Sequence, residues 1–216
     1  MYQPGHGRFA VEDPASQLAP LAGVVPATLV TLGPDGLVAS ILPVLFDRGP
    51  DDGPLGTVRG HLARGNPQWR SFSVDVDALV ILDGPEAYIS PGWYETKRRT
   101  GKDVPTWNYV TVHAHGPLVV RDEVAWLEDV VRRLSDRHEA GRAHPWSVDD
   151  APREYIDTQL RAIVGVELRV ARLEAKRKLS QNRIAEDTAG VVAGLSGGTA
   201  ADQAVAVEMG RERPRT

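Results

Sequence analysis

The stretch Val104 to Gly116, VPTWNYVTVHAHG, alternates with period two, which predicts a strand. Trp107, Tyr109, Thr111, His113 and His115 then share one face, and Asn108, Val110, Val112 and Ala114 share the other. The first face carries rings, a hydroxyl and two imidazoles, which suits a binding surface or an edge that meets a dimer partner or water. Pro105 fits strand entry under either reading.

The flanking pattern supplies the other elements. A polar arm, Met1 to Glu12, leads to Asp13 as N-cap and Pro14 at the first helical position, with a short helix to about Gly23. Ala27 to Leu32 and Leu37 to Phe46 form a hairpin about Gly33-Pro34-Asp35-Gly36. Thr57 to Leu62 is a strand ending at His61, and Asn66-Pro67 starts a helical turn through Phe72. Asp75 to Leu82 and Ala87 to Ser90 are two strand segments, after which Pro91 to Tyr94 breaks the pattern and Lys97 to Lys102 reads as a basic loop. The central strand is expected to run past Pro117 to Arg121. Asp122 caps an amphipathic helix carrying Val124, Leu127, Val130, Val131 and Leu134 and ending near Gly141. Asp150 and Pro152 begin another helix with Tyr155, Ile156 and Leu160 on one side, and Ile163 to Leu173 reads as a long strand. Two terminal helices, Ile184 to Leu195 and Ala201 to Met209, precede a frayed RERPRT tail. Roughly seven strands with covering and terminal helices predict an α+β fold built on a small antiparallel barrel.

At 216 residues and 42% apolar content the chain suits one domain, 1–216, with a helical extension from about residue 184. No run approaches the length of a membrane span and the N-terminus has no signal-peptide core, so a cytoplasmic protein is expected. The absence of cysteine excludes disulfides, thiolate metal sites and covalent haem attachment. A net charge of −4 argues against wrapping nucleic acid.

Several segments together carry a family resemblance: MYQP at the start, GHLARGNPQW from Gly60 to Trp69, AYISPGWY from Ala87 to Tyr94, VPTWNYVTVHAHG, AIVGVELRV from Ala162 to Val170, and KLSQNR from Lys178 to Arg183. In this order they resemble the PaiB-like family, known as FMN-binding negative transcriptional regulators. The resemblance implies the split barrel shared with pyridoxamine-phosphate oxidases and a homodimer whose cofactor slot mixes residues of both chains. It also implies two functions, an FMN-binding regulator and a haem-dependent piperazate synthase that forms an N–N bond. No Rossmann-type glycine loop follows a strand, and no pair of short helices presents a basic recognition face, so direct DNA contact has little support.

A haem b would need an axial ligand, partners for its propionates and an apolar slot. The ligand candidates are His61, His113 and His115, with Tyr94 and Tyr109 behind them; His61 is favoured for its place before a turn. Trp93 and Trp107 could form flat walls, unless they are simply core. Arg64, Asn66, Lys178, Ser180, Gln181 and Arg183 read as partners for an anion, whether FMN phosphate, propionate or substrate carboxylate. Glu86, Asp103 and Glu167 have no paired acid–base spacing. The preferred expectation is an enzyme resembling piperazate synthase, in which N5-hydroxyornithine loses water and His113 or Tyr109 serves as acid; the alternative is the FMN-binding regulator.

Overall fold

The central alternation survives in three dimensions except at Thr111, which is buried. In the computed structural model, which describes residues 1–2 and 9–211, the strand Thr106–Gly116 buries Asn108, Val110, Val112 and Ala114 and leaves Tyr109, His113 and His115 half-buried. Residues 3–8 of the opening arm and 212–216 of the tail lie outside the described residues.

In chain order the elements are α1 (Ala15–Leu21), β1 (Ala27–Gly33), β2 (Gly36–Leu42), β3 (Val44–Asp47), β4 (Thr57–Ala63), α2 (Gln68–Ser71), β5 (Ala78–Ile89), α3 (Glu95–Thr100) and β6 (Thr106–Gly116). They continue as β7 (Leu118–Arg121), α4 (Val124–Glu139), α5 (Arg153–Arg161), β8 (Ile163–Arg169), β9 (Arg172–Lys178), α6 (Ala185–Ser196) and α7 (Ala200–Arg211). Two antiparallel sheets result, one in the order β2-β1-β5-β6-β9 and the other β3-β4-β8-β7. This is the split-barrel, α+β architecture expected.

Three runs that read as continuous strands change sheet partway. The run from Leu37 to Phe46 breaks at Pro43 into β2 and β3, the central strand breaks at Pro117 into β6 and β7, and Ile163 to Leu173 breaks at Val170-Ala171 into β8 and β9. Proline cannot donate to a ladder, so Pro43 and Pro117 suit corners. At the third corner Ala171 N–H donates to the His115 carbonyl at 2.8 Å. Gly116 makes that approach possible, because a Cβ there would lie 1.9 Å from the Arg169 carbonyl oxygen.

Two other expectations are corrected. The two segments expected at Asp75 to Leu82 and Ala87 to Ser90 are joined in one strand, β5 (Ala78–Ile89), which continues through Asp83 to Glu86. The basic stretch Lys97 to Lys102 is mostly helix α3, which stops at Gly101 in the left-handed region at φ 71°. Its start is capped from afar: Asp187 on α6 accepts from the Thr96 N–H and hydroxyl, both at 2.8 Å. Glu95 adds i,i+3 and i,i+4 pairs to Arg98 and Arg99.

The chain divides into two compact units, Met1–Glu12 with Asp83–Val112 and Ala175–Thr216, and Asp13–Leu82 with His113–Glu174. In the first, Ile89, Tyr94, Val110, Leu179, Val191, Leu195, Val205 and Met209 form a core beneath α6 and α7. In the second, α4 turns Leu127, Val130 and Leu134 inward, against Val148, Ile156 and Leu160 on one side and Leu45 on the other, as its helical spacing requires. No helix among the described residues is long and apolar enough to cross a membrane.

Candidate functional site

His61 sits in β4, two residues from its end, and faces α4. Its ring lines a concavity of about 290 Å³ with Pro43, Val131, Leu134, Ser135, His138, Glu139 and Trp146. Residues 131, 134, 135 and 138 follow one face of α4 at helical spacing, so the wall is a consequence of that helix's register. The Nδ1 atom of His61 is buried without a hydrogen-bond partner. Burial pushes the imidazole pKa below its ordinary value, which favours the neutral ring able to ligate a metal.

Strand β4 is anchored beneath this concavity by an ion cluster. Arg59, on the same face of β4 as His61, donates to Asp47 at 2.5 Å, Asp52 at 2.7 Å and Glu167 at 3.0 Å. Arg133 of α4 pairs with Asp47, so the cluster joins the strand that carries His61 to the helix that covers it. Glu167 also accepts from Arg121 at 2.7 Å. Burial pushes the Glu167 carboxyl up, but Arg121 and Arg59 outweigh it and hold the pKa below the ordinary value.

The expected anion partners near His61 are engaged elsewhere. Arg64 donates to Asp122 with both terminal nitrogens and to the carbonyls of Arg161 and Ile163 at 2.8 Å, closing the turn after β4 onto the start of β8. Asn66 accepts from Gln68 N–H at 3.0 Å and donates to Ser40 at 2.8 Å. Both hold the turn after β4 in this structure.

The KLSQNR segment is likewise tied to the protein. Lys178 donates to the Thr106 hydroxyl and the Trp107 carbonyl, both at 2.5 Å. Burial, with the charges of Lys176 and Arg183, lowers its pKa. Ser180 has φ 66°, a left-handed conformation uncommon outside glycine, and is buried with its hydroxyl 3.0 Å from the Asn108 amide nitrogen. Gln181 spans the same turn, accepting from Leu179 N–H at 2.8 Å and donating to the Arg177 carbonyl at 2.6 Å. Arg183 grips Asp103 through two bonds of 2.6 and 2.7 Å and stacks 4.2 Å over the Tyr94 ring. Tyr94 is fully buried, and Trp93 packs against the same core. Trp107 is 46% exposed, donates to Glu86 at 3.0 Å and meets Tyr88 edge-on. Tyr109 lies under the Lys176 and Lys178 ammonium groups at 5.6 and 6.0 Å.

His113 and His115, two apart on β6, have ring centroids 6.3 Å apart. His115 Nε2 is buried and lies 3.4 Å from Glu174 Oε2 on β9. Burial and the nearby Arg172 lower the His115 pKa. Neither His113 nor Tyr109 is among the residues lining the His61 concavity. The sequence reading missed His138, Glu139 and Trp146 as neighbours of His61, although His138 continues the 131, 134, 138 spacing. It also missed Glu174, which lies beyond the strand end it expected at Leu173.

A family model described as "Putative FMN-binding domain" matches residues 1–172. The chain is 36% identical over 167 residues to the "Protease synthase and sporulation protein PAI 2" of Bacillus subtilis, with 76% of this chain and 75% of that protein covered. A conserved hypothetical protein of Mycobacterium tuberculosis matches in structure with a TM-score of 0.53 at 16% identity, covering 82% of this chain and 91% of that one. A "FAD and Heme binding protein" of Mycobacterium smegmatis matches with a TM-score of 0.50 at 17% identity, covering 85% and 78%. At these identities the two structures speak for the fold alone.

Proposed function

The chain belongs to the PaiB-like family of FMN-binding domains, and within that family we propose a haem-dependent enzyme that joins two nitrogens of an N-hydroxylated diamino acid, N5-hydroxyornithine by resemblance. One observation carries the reading: the half-buried imidazole of His61, its Nδ1 buried without a partner and its pKa lowered by burial, set in a concavity with largely apolar walls. A haem wants one strong nitrogen donor, apolar surroundings and partners for its propionates; His61 with Pro43, Val131, Leu134 and Trp146 can provide the first two, and among the described residues the lining of the concavity carries no Lys or Arg for the third. The same fold holds FAD and haem in the Mycobacterium smegmatis protein, by that protein's description.

Bound there, haem would supply an iron able to make a hydroxylamine nitrogen electrophilic. His61 would hold the iron, and the α4 wall would exclude water. In the ring closure the amine nitrogen bonds to the hydroxylamine nitrogen as the N–O bond breaks. One proton passes from the amine to the departing hydroxyl, so water leaves and no oxidant is consumed. His138 and Glu139, at the end of the α4 wall that faces His61, would move that proton. His113 and Tyr109, expected in this role, do not line the concavity. Holding the chain folded so that both nitrogens meet is proximity catalysis.

The test is product formation. Haem-loaded protein given N5-hydroxyornithine should yield a cyclic product lighter by one water in mass spectrometry, and His138→Gln should slow it at equal haem loading. No product from fully loaded protein would overturn the enzyme reading. The family description favours a second reading, FMN in place of haem, which a purified protein with a flavin spectrum and no Soret band would support. The reading also includes a two-fold homodimer. Light scattering that returned the monomer mass of 23.5 kDa at micromolar concentration would remove that part.

A further inference from the structure

The outer face of β6 holds a cluster that the haem reading does not use. His113, His115 and Glu174 each offer one ligand atom, and these atoms lie within 4.8 Å of one another. We propose that these three residues bind a divalent transition-metal ion of the zinc type, at a site distinct from His61. The inference does not rest on the proposed haem chemistry.

Four features support it. The donor set, two imidazoles and one carboxylate, is one that zinc and its neighbours accept with a fourth position left to water or an anion. Ligands about 2.1 Å from a tetrahedral ion stand about 3.4 Å apart, and His115 Nε2 is already 3.4 Å from Glu174 Oε2. That nitrogen is buried, and its contact with Glu174 is longer and less well aligned than the hydrogen bond an imidazole nitrogen removed from water ordinarily makes. The backbone also holds the ligands in place: Ala171 N–H bonds to the His115 carbonyl at 2.8 Å, which fixes the approach of β9 to β6 three residues before Glu174.

The site needs two small adjustments. The ligand atoms must close from 4.8 Å at most to tetrahedral spacing, which side-chain rotation can supply because all three residues are half-buried and reach solvent. Arg172 donates to Glu174 at 2.5 Å and the N-terminal ammonium bonds the same carboxylate, so both must yield to the ion. Arg172 is itself 56% exposed at its side chain, so it can swing outward at little cost. The half-buried ligands and the open fourth position make this an exchangeable site.

Cobalt(II) reports the geometry directly, since a tetrahedral site gives visible absorption bands that the aqueous ion lacks. The experiment uses the full-length, tag-free, haem-free protein, titrated with CoCl2 and then with ZnCl2. The expected result is one ion per chain, displaced by zinc, with affinity at least about tenfold weaker in both His115→Ala and Glu174→Gln and unchanged in His61→Ala. Arg172→Gln should bind the ion at least as tightly as the wild type, which a merely structural His115–Glu174 pair would not bring about. Thermal melts in EDTA check that the variants fold. Absence of a tetrahedral spectrum in folded wild-type protein, or equal loss of binding in His61→Ala, would overturn the site, and neither result bears on haem.

Discussion

Replacing Arg59 by Met tests the frame that holds His61. The methionine keeps the apolar stem but removes a guanidinium whose three donating nitrogens each serve a different carboxylate, Asp47, Asp52 and Glu167, with only 18% of the side chain exposed. Removing one partner of a buried ion pair costs about 3–5 kcal/mol. Each carboxylate here retains a second partner: Asp47 keeps Arg133, Asp52 keeps the Gly49 N–H at 2.6 Å, and Glu167 keeps Arg121. The low end, about 3 kcal/mol, therefore applies, and for a chain of this size it corresponds to a fall of about 6–12 °C in Tm. Thermal and urea unfolding at neutral pH measure it. The pH dependence supplies a second check. Glu167 and Asp52 have folded pKa values below their ordinary ones, so their share of stability is present above the unfolded values and lost as pH falls through the folded ones. The gap between wild type and variant should be widest near neutrality and narrow below about pH 4.3, the ordinary glutamate value. A loss under about 1 kcal/mol, or one that does not change with pH, would refute this account of the cluster.

Asp187→Ala should free the start of α3 and cost about 1–2 kcal/mol, as loss of a helix cap does, and trypsin should then cut faster after Lys97, Arg98 and Arg99; unchanged cleavage would count against the long-range cap. His61 has a pKa lowered by burial, so the unfolded chain takes its proton first, and His61 contributes a loss of stability as pH falls from about 6.5 toward the lower folded value. His61→Asn should flatten that part of the urea-midpoint profile, and an identical slope in the variant would contradict the burial argument.

The strands were legible where local pattern and partner agree. Along β6 the alternation identified the buried face at Asn108, Val110, Val112 and Ala114, but not Thr111, which was expected on the open face and is buried with its hydroxyl bonded to Asp83. The breaks at Pro117 and Ala171 were not legible, since the residues on both sides favour strand and the change lies in which neighbour they pair with. The cap on α3 was hidden for the same reason, as Thr96 and Asp187 stand 91 residues apart. At the candidate site the sequence put His61 just before a turn, and the structure sets it facing α4. Arg64 could not be separated from an anion binder, because its partner Asp122 lies 58 residues away and read equally well as a helix cap.

The most direct test of the central claim is a haem titration followed in the Soret region, with wild type and His61→Ala at matched concentration and with imidazole added to the variant. The account predicts a shifted, saturable Soret band for the wild type that His61→Ala loses and free imidazole restores. A band of equal position and affinity in His61→Ala would contradict it.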